Sequence, residues 1–371
     1  MNSKEIGKVK KIAILIRNFT DSGGGAERYC VETTIRLAKI YEVSLFTQNY
    51  DKKLENITHY KIPIFLKKPR FLNQLFFSIF TYFKTRKKGF DIIHSHDLVT
   101  FANVYTLHVP TIKSSLTSLN LLQQLSKFLS PRILSYLYLE RKLMSLNKSK
   151  RLISVSKNLT KNITSQYPHV ENNIDIVSPG IDQEILALKT QQEKEDNFFK
   201  ILFVGHGFRR KGLQVIIDAV SKIPNIAINI LVAGRGKSTD VDFSSLTENK
   251  KITFLGEVTE MRDLYHKSDL LVHPTLGDTF GMAVLEAMSA QLPVIVSSEE
   301  YCGISGELTK DQAIFIKNPR DSEELKDILQ STLQDRNLMK SISNNGFKFA
   351  KNKTWDKSVE DIVQTYNKIT E

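Results

Sequence analysis

Residues 269–298 read DLLVHPTLGDTFGMAVLEAMSAQLPVIVSS. The short apolar run 269–274 predicts a strand, and 276–281 is a polar turn that carries two glycines. Residues 282–290 are good helix formers, and 293–298 predict a second strand. Strand, turn, helix and strand in this order form one βαβ unit, the building block of a parallel sheet. Its turn presents backbone N–H groups at a helix N-terminus, a ready site for phosphate. Two acids flank it: Asp278 just before the helix and Glu286 inside it, so both can face one ligand.

The same alternation extends in both directions. Upstream, residues 200–204 are a strand followed by Gly205-His206-Gly207-Phe208-Arg209-Arg210-Lys211-Gly212 and a helix to about Lys222. Residues 228–233 and 251–255 are strands and 260–267 a helix; downstream lie a strand near 313–316 and helices to the end, the last over 355–369. The N-terminal half repeats the pattern. The buried strand 12–16 enters a glycine loop, Gly23-Gly24-Gly25, and then a helix to about Lys39. Further strands are expected at 42–47, 60–64, 91–96, 104–109, 152–156 and 174–177, with a long helical stretch over 116–146. A polar stretch from 183 to 197 breaks the pattern and marks a boundary. The fold class is therefore α/β, with two Rossmann-like doubly wound domains facing a cleft, of 1–182 and 183–352, and a terminal segment 353–371.

Composition narrows the function classes. A chain of 371 residues is long for one core and suits two domains. Two distant cysteines, Cys30 and Cys302, fit no metal or redox spacing and imply free thiols in a reducing compartment. No run approaches the ~20 apolar residues of a membrane span, and no signal core follows the first ten residues, so a cytoplasmic location is expected. The net charge of +12 admits three partners: nucleic acid, an anionic membrane surface or anionic small substrates. No zinc-finger spacing or aromatic RNA-binding signature is present, so nucleic acid is not expected as a partner. A rival of another class is a non-catalytic or nucleic-acid-binding α/β protein that uses this charge.

Several stretches carry the chemistry. Arg209-Arg210-Lys211 sits at a strand-to-helix turn, which would lie near the turn at Asp278 if both are carboxyl-end loops of one sheet. Cations beside a helix N-terminus suit a diphosphate and stabilise charge developing on a leaving group. Glu286 has the chemistry to accept ribose hydroxyls, and Asp278 either holds sugar hydroxyls or caps its helix. The triple glycine matches neither the Rossmann fingerprint nor a P-loop, and serves as well for a plain turn as for a phosphate cradle. His108 and the pair His94 and His96 lie at carboxyl ends of strands; the pair is assigned to packing. The basic amphipathic stretch 65–88, with Phe71, Leu72, Leu75, Phe76, Ile79, Phe80 and Phe83 at helical spacing, reads as a core helix with a solvated basic rim. Peripheral contact with anionic lipid is its alternative reading.

Residues 205–212 with their Arg-Lys-Gly, Ser178-Pro179-Gly180-Ile181, and the run 278–298 together resemble family 4 glycosyltransferases of the GT-B architecture. The family's pattern of an acid, seven residues and a glutamate is met by Asp278 and Glu286, with aspartate where glutamate is usual. His206 stands where many members carry arginine. Within the family the chain looks most like lipopolysaccharide core glucosyltransferases. The resemblance implies metal-free, retaining transfer of a hexose, glucose, from UDP-glucose to a lipopolysaccharide core or other lipid-linked saccharide. No cofactor and no metal is implied. It places Arg210, Lys211, Asp278, Phe280, Gly281, Met282 and Glu286 around the donor, with Gly24 and Gly25 opposite. His108, Asp278, Lys211 and Arg210 are the implied catalytic set, Glu27 is on the acceptor side, and the Trp355 helix crosses back to the first domain.

Overall fold

The computed structural model describes residues 10–182 and 197–370, apart from residues 22, 52, 118 and 146–148. The expected linker at 183–196, Ser22 of the glycine loop and the end of the expected long helix lie outside the described residues. The chain divides into two compact units, Met1–Pro179 with Trp355–Glu371, and Gly180–Thr354. Charge divides with them. The first unit holds 30 Lys and Arg against 16 Asp and Glu, a formal +14, and the second 22 against 24, or −2. The basic excess therefore belongs wholly to the first unit.

In the first unit seven strands form one sheet: β1 (Lys11–Leu15), β2 (Glu42–Thr47), β3 (Ile57–Lys61), β4 (Ile92–Ser95), β5 (Val104–Leu107), β6 (Arg151–Ser154) and β7 (Ile174–Ile176). Their order is β3-β2-β1-β4-β5-β6-β7, with every pair parallel. The helices are α1 (Gly25–Leu37), α2 (Arg70–Thr85), α3 (Ile112–Thr117), α4 (Leu121–Phe128), α5 (Pro131–Met144) and α6 (Lys157–Gln166). β1 is a continuous apolar run with four of its five residues buried, as a strand covered on both faces must be.

Three expectations need correction here. β3 begins three residues before the expected strand at 60–64 and ends before Pro63, which has no N–H to continue the ladder. The expected helix over 116–146 is broken into three. The Asn120 side chain accepts the Gln123 N–H at 2.9 Å and starts α4, and Pro131 takes the first position of α5, where its missing N–H costs nothing. α2 forms, but the wrong face was expected to be buried. Gln74, Phe77, Ser78, Thr81 and Thr85 are buried, while Ile79 is 52% and Phe83 55% exposed. The inward polar groups are satisfied: Thr81 donates to the Phe77 carbonyl at 2.6 Å, and Gln74 to that of Leu98 at 2.7 Å.

In the second unit the strands are β8 (Phe199–Val204), β9 (Ile228–Ala233), β10 (Lys250–Gly256), β11 (Leu270–His273), β12 (Val294–Ser297) and β13 (Ile314–Ile316). They pair in parallel in the order β10-β9-β8-β11-β12-β13. The helices are α7 (Phe208–Lys211), α8 (Leu213–Ser221), α9 (Met261–Lys267), α10 (Met282–Ser289), α11 (Ser322–Gln334) and α12 (Arg336–Lys351). Successive residues of β8 feed opposite cores: Ile201 and Phe203 join Ile217, Ile230 and Leu329, whereas Leu202 joins Leu271, Leu285 and Met288. The last helix, α13 (Trp355–Thr370), belongs to the first unit, where Trp355 is 1% exposed and Tyr366 donates to or accepts from His94 Nδ1 at 2.7 Å.

Both sheets reverse their strand order once, between β1 and β4 and between β8 and β11. A crevice opens at such a point outside the carboxyl ends of the strands, where ligands of doubly wound sheets bind.

Candidate active site

At the reversal of the second sheet, the loops after β8 and β11 are stitched together. Gly212 ends α7 in the left-handed region, φ +80°, and a Cβ there would overlap the Pro274 carbonyl oxygen. Only glycine lets the two chains approach so closely. The Leu276 N–H donates to the Arg210 carbonyl at 2.9 Å, and the Arg210 guanidinium donates to the Gly277 carbonyl. Arg210 is exposed, so its remaining donors face solvent at the mouth of the site.

Lys211 lies on the other side of the single turn of α7 and is 8% exposed. Its ammonium is paired with the Asp278 carboxylate. His273, the last residue of β11 and 1% exposed, places Nε2 at 3.2 Å from the same carboxylate oxygen. Asp278 is held from both sides along its backbone as well. Its N–H donates to Tyr301 O at 2.8 Å, and its carbonyl accepts from Gly303 N–H at 3.0 Å. The capping alternative for Asp278 fails, because α10 is capped by Gly281, φ +103°, three residues later and without a side-chain bond. Burial pushes the Asp278 carboxyl up, but the His273 hydrogen bond and the Lys211 charge outweigh it and hold it well below the usual carboxylate range. Burial also lowers His273, assisted by the Lys211 and Arg210 charges and opposed by Asp278. A neutral His273 then donates Nε2–H to an ionised Asp278.

Glu286 sits one turn into α10, and its carboxylate accepts the Tyr265 hydroxyl at 2.8 Å. Met282 opens the helix and is partly buried against the core. Phe280 departs from the expected donor-binding set: its side chain is 4% exposed and packed in the core, leaving only its backbone near the loop. That carbonyl accepts from Ile304 N–H at 2.6 Å. His206 turns away toward the next loop, where Nδ1 accepts the Arg235 N–H at 2.9 Å.

The other expected residues lie in the first unit. The exposed Gly24 precedes α1, which starts at Gly25, and its N–H is engaged by the Glu27 carboxylate at 3.0 Å. Glu27 therefore acts locally as a helix cap, and the Gly24 amide is not directed at a ligand in this arrangement. His108 follows β5 and meets His96, which follows β4: Nε2 and Nδ1 are 3.1 Å apart and the rings stack at 5.4 Å. His96, assigned to packing from sequence, thus bonds to the very histidine singled out for chemistry. Tyr29 lies edge-on to His108 at 5.2 Å and to Trp355 at 5.7 Å, so α13 buttresses this cluster. Arg17 and Asp97 join the ends of β1 and β4 through two bonds of 2.7 and 2.9 Å. Sequence reasoning missed Arg17, Asp97 and His273. The signal for His273 was a polar residue closing a buried apolar strand.

The histidine cluster makes the fold acid-sensitive. Burial and the neighbouring His108 lower His94 to about 3. Burial alone lowers His108 to about 3. His96 falls well below its ordinary value for the same reason, with both neighbours adding to it. These groups are neutral in both folded and unfolded chains above about pH 6.5, and below it only the unfolded chain takes up the protons. Stability is therefore complete above pH 6.5 and falls on acidification, by up to about 1.4 kcal/mol per pH unit for each such histidine. Thermal melts between pH 7 and 4 should show this slope, and His96→Asn should make it shallower.

Among the described residues, no group of three or more His, Cys, Asp or Glu is placed to hold a metal ion. No helix among them is long and apolar enough to cross a membrane.

Residues 23–185 match the family described as glycosyltransferase family 4, and residues 185–349 match glycosyl transferases group 1. The chain is 28% identical over 364 residues to an uncharacterized glycosyltransferase of Methanocaldococcus jannaschii, covering 88% of this chain and 89% of the relative. It is 25% identical over 240 residues to the lipopolysaccharide glucosyltransferase WaaG of Escherichia coli, covering 60% of this chain and 63% of that one. A crystal structure of WaaG, a glycosyltransferase involved in lipopolysaccharide biosynthesis, superimposes with a TM-score of 0.79 at 19% identity, over 97% of this chain and 99% of that one. Parallel α/β sheets in both units, loops joined at the strand reversal and domain matches spanning residues 23–349 agree: the chain belongs to the family 4 glycosyltransferases of the GT-B fold.

Proposed function

We propose that the protein transfers glucose from UDP-glucose to a lipopolysaccharide core or another lipid-linked saccharide, with retention at the anomeric carbon and without a metal ion. The observation that carries this reading is the cluster at the second strand reversal. It sets Lys211, the Arg210 side chain and the start of α10 beside two carboxylates, Asp278 and Glu286, in different settings. The cations and the helix N-terminus suit a diphosphate, and they stabilise the charge that grows on the departing UDP. Glu286, oriented by Tyr265, accepts the ribose hydroxyls. Asp278, kept ionised, accepts sugar hydroxyls once Lys211 moves to the phosphates. In this reading Gly24 and Gly25 supply amides to the donor after Glu27 releases Gly24, Glu27 turns to the acceptor, and His108 lies by the reacting centre. Charge stabilisation on the leaving side suffices for front-face attack, and no enzymic nucleophile is needed. The name of the WaaG relative supports glucose and a lipopolysaccharide acceptor for this chain; transfer on the cytoplasmic face of the membrane is part of the same proposal.

A panel of nucleotide sugars, each scored by thermal shift and by slow hydrolysis of the donor in EDTA, tests the reading. UDP-glucose is expected to give the largest shift and the fastest release of sugar. A clear preference for a mannose, GlcNAc or heptose donor would reassign the sugar and keep the site.

A further inference from the structure

Asp278 divides its two oxygens unequally. Oδ2 takes two donors: the Lys211 ammonium is paired with it, and His273 Nε2 lies 3.2 Å away. Oδ1 has no hydrogen-bond partner among the described residues, and the Asp278 side chain is 20% exposed. Among the same residues the Lys211 ammonium bonds only this carboxylate. A diphosphate that draws Lys211 away therefore leaves Asp278 with a single side-chain donor, His273.

His273 is built to stay in place. It closes β11, whose four residues are all buried, and lies in register with Val296 of β12. The Ser297 hydroxyl donates to the His273 carbonyl at 3.4 Å and to that of Thr275 at 2.9 Å, which ties the strand end to β12. Lys211, by contrast, hangs from the single turn of α7 on a flexible four-carbon stem. The other ring nitrogen, His273 Nδ1, is buried and meets no hydrogen-bond partner among the described residues. That orphan selects the form of the ring. A proton on Nδ1 alone would be a buried, unpaired donor, and the Nε2 lone pair would then oppose the carboxylate. A doubly protonated ring would bury the same unpaired N–H. The neutral Nε2–H tautomer pairs with Asp278 and buries no unpaired donor. Being neutral, it holds the carboxylate without competing with Lys211 and Arg210 for the diphosphate.

We infer that His273 is a positioning residue of the donor site. Its Nε2–H holds Asp278 Oδ2 while Lys211 passes to the diphosphate, so the carboxylate is not stranded and Oδ1 stays open to the donor sugar. The inference rests on the proposed donor site and deepens it by naming the group that takes over from the lysine. Without that bond Asp278 depends on Lys211 alone, and release of the lysine to the diphosphate becomes costly.

UDP affinity, read by isothermal titration calorimetry, and donor hydrolysis test it across variants of His273. His273→Leu should weaken UDP binding about 10- to 100-fold, the worth of one hydrogen bond to a charged group, and lower kcat as well. His273→Gln, whose amide N–H reaches the place of Nε2–H, should bind UDP as the parent does. His273→Asn, whose amide lies nearer the place of Nδ1, should fail as leucine does. Adding Asp278→Asn to His273→Leu removes the stranded charge and should restore UDP affinity without restoring turnover. In proton–nitrogen correlation spectra of the imidazoles at neutral pH, the signal lost in His273→Gln should be a neutral Nε2–H tautomer, with and without UDP. These spectra need only the parent and the glutamine variant, so they decide even if leucine at this position prevents folding. UDP affinity at the parent level in His273→Leu overturns the inference. So do equal losses in the glutamine and leucine variants, or an imidazolium signal from His273 in the UDP-bound protein. A protein that binds UDP in this way but hydrolyses no donor loses the proposed reaction and keeps this role for His273. One that binds no UDP loses both.

Discussion

Lys211→Ala is expected to lower kcat by about two to three orders of magnitude, with a smaller effect on donor KM. The size follows from removing one preorganised charge from a site where negative charge develops. The direction follows from the geometry: Lys211 is nearly enclosed and already bound to a carboxylate, so its partner must change as the phosphate gains charge. Stability should fall as well, because Asp278 then keeps its charge with only neutral His273 as a donor. Breaking a buried pair costs about 3–5 kcal/mol, and the partial exposure of Asp278 brings the expected loss down to about 1–3 kcal/mol. The double variant Lys211→Ala with Asp278→Asn separates the two effects. It should regain most of the stability, read by chemical denaturation, and none of the turnover. An effect of Lys211→Ala confined to KM would mean that the lysine binds ground and transition states equally. The sign of the pH response is fixed too. The depressed Asp278 contributes stability that is present above the ordinary carboxylate range and is lost as pH falls through its folded value. Without Lys211 the folded value rises toward the unfolded one, so that loss should be smaller and be complete at a higher pH.

The second large effect is expected at Glu286. Alanine there should weaken UDP binding about 100-fold, the loss of two hydrogen bonds to a charged acceptor at about 1.5 kcal/mol each. At a UDP concentration of 100 times the parent Kd, a stabilisation of about 2.7 kcal/mol then falls to a few tenths. The melting temperature of the free protein should change little, since Glu286 is only partly buried and the space its carboxylate leaves admits water to the otherwise buried Tyr265 hydroxyl. Tyr265→Phe should give an intermediate loss, because Glu286 keeps its charge and loses its orientation. If the alanine variant responds fully to UDP, Glu286 does not hold the ribose.

The fold was legible because long apolar runs alternate with helical stretches in both halves, and the loop after β8 could be placed beside the loop after β11 by topology alone. What sequence missed depends on which face of an element is covered. In α2, the small hydroxyl-bearing Ser78, Thr81 and Thr85 face inward beside Phe77, while Ile79, Tyr82 and Phe83 turn outward, opposite to what periodicity implies. His273 was hidden inside a strand that otherwise reads as core. His96 was assigned to packing because its bond to His108 joins two strands that are apart in sequence. Asp278 looked like a cap from its position before α10, and only the three-residue offset to Gly281 separates the two roles.

Release of sugar from UDP-glucose by the protein alone, followed by proton NMR in EDTA, decides whether the chain is a metal-free, retaining glucosyltransferase. α-Glucose is expected to appear first and mutarotate later, and the signal is expected to disappear in Lys211→Ala. First appearance of β-glucose, a requirement for a divalent metal, or no release from any UDP-sugar would contradict this assignment.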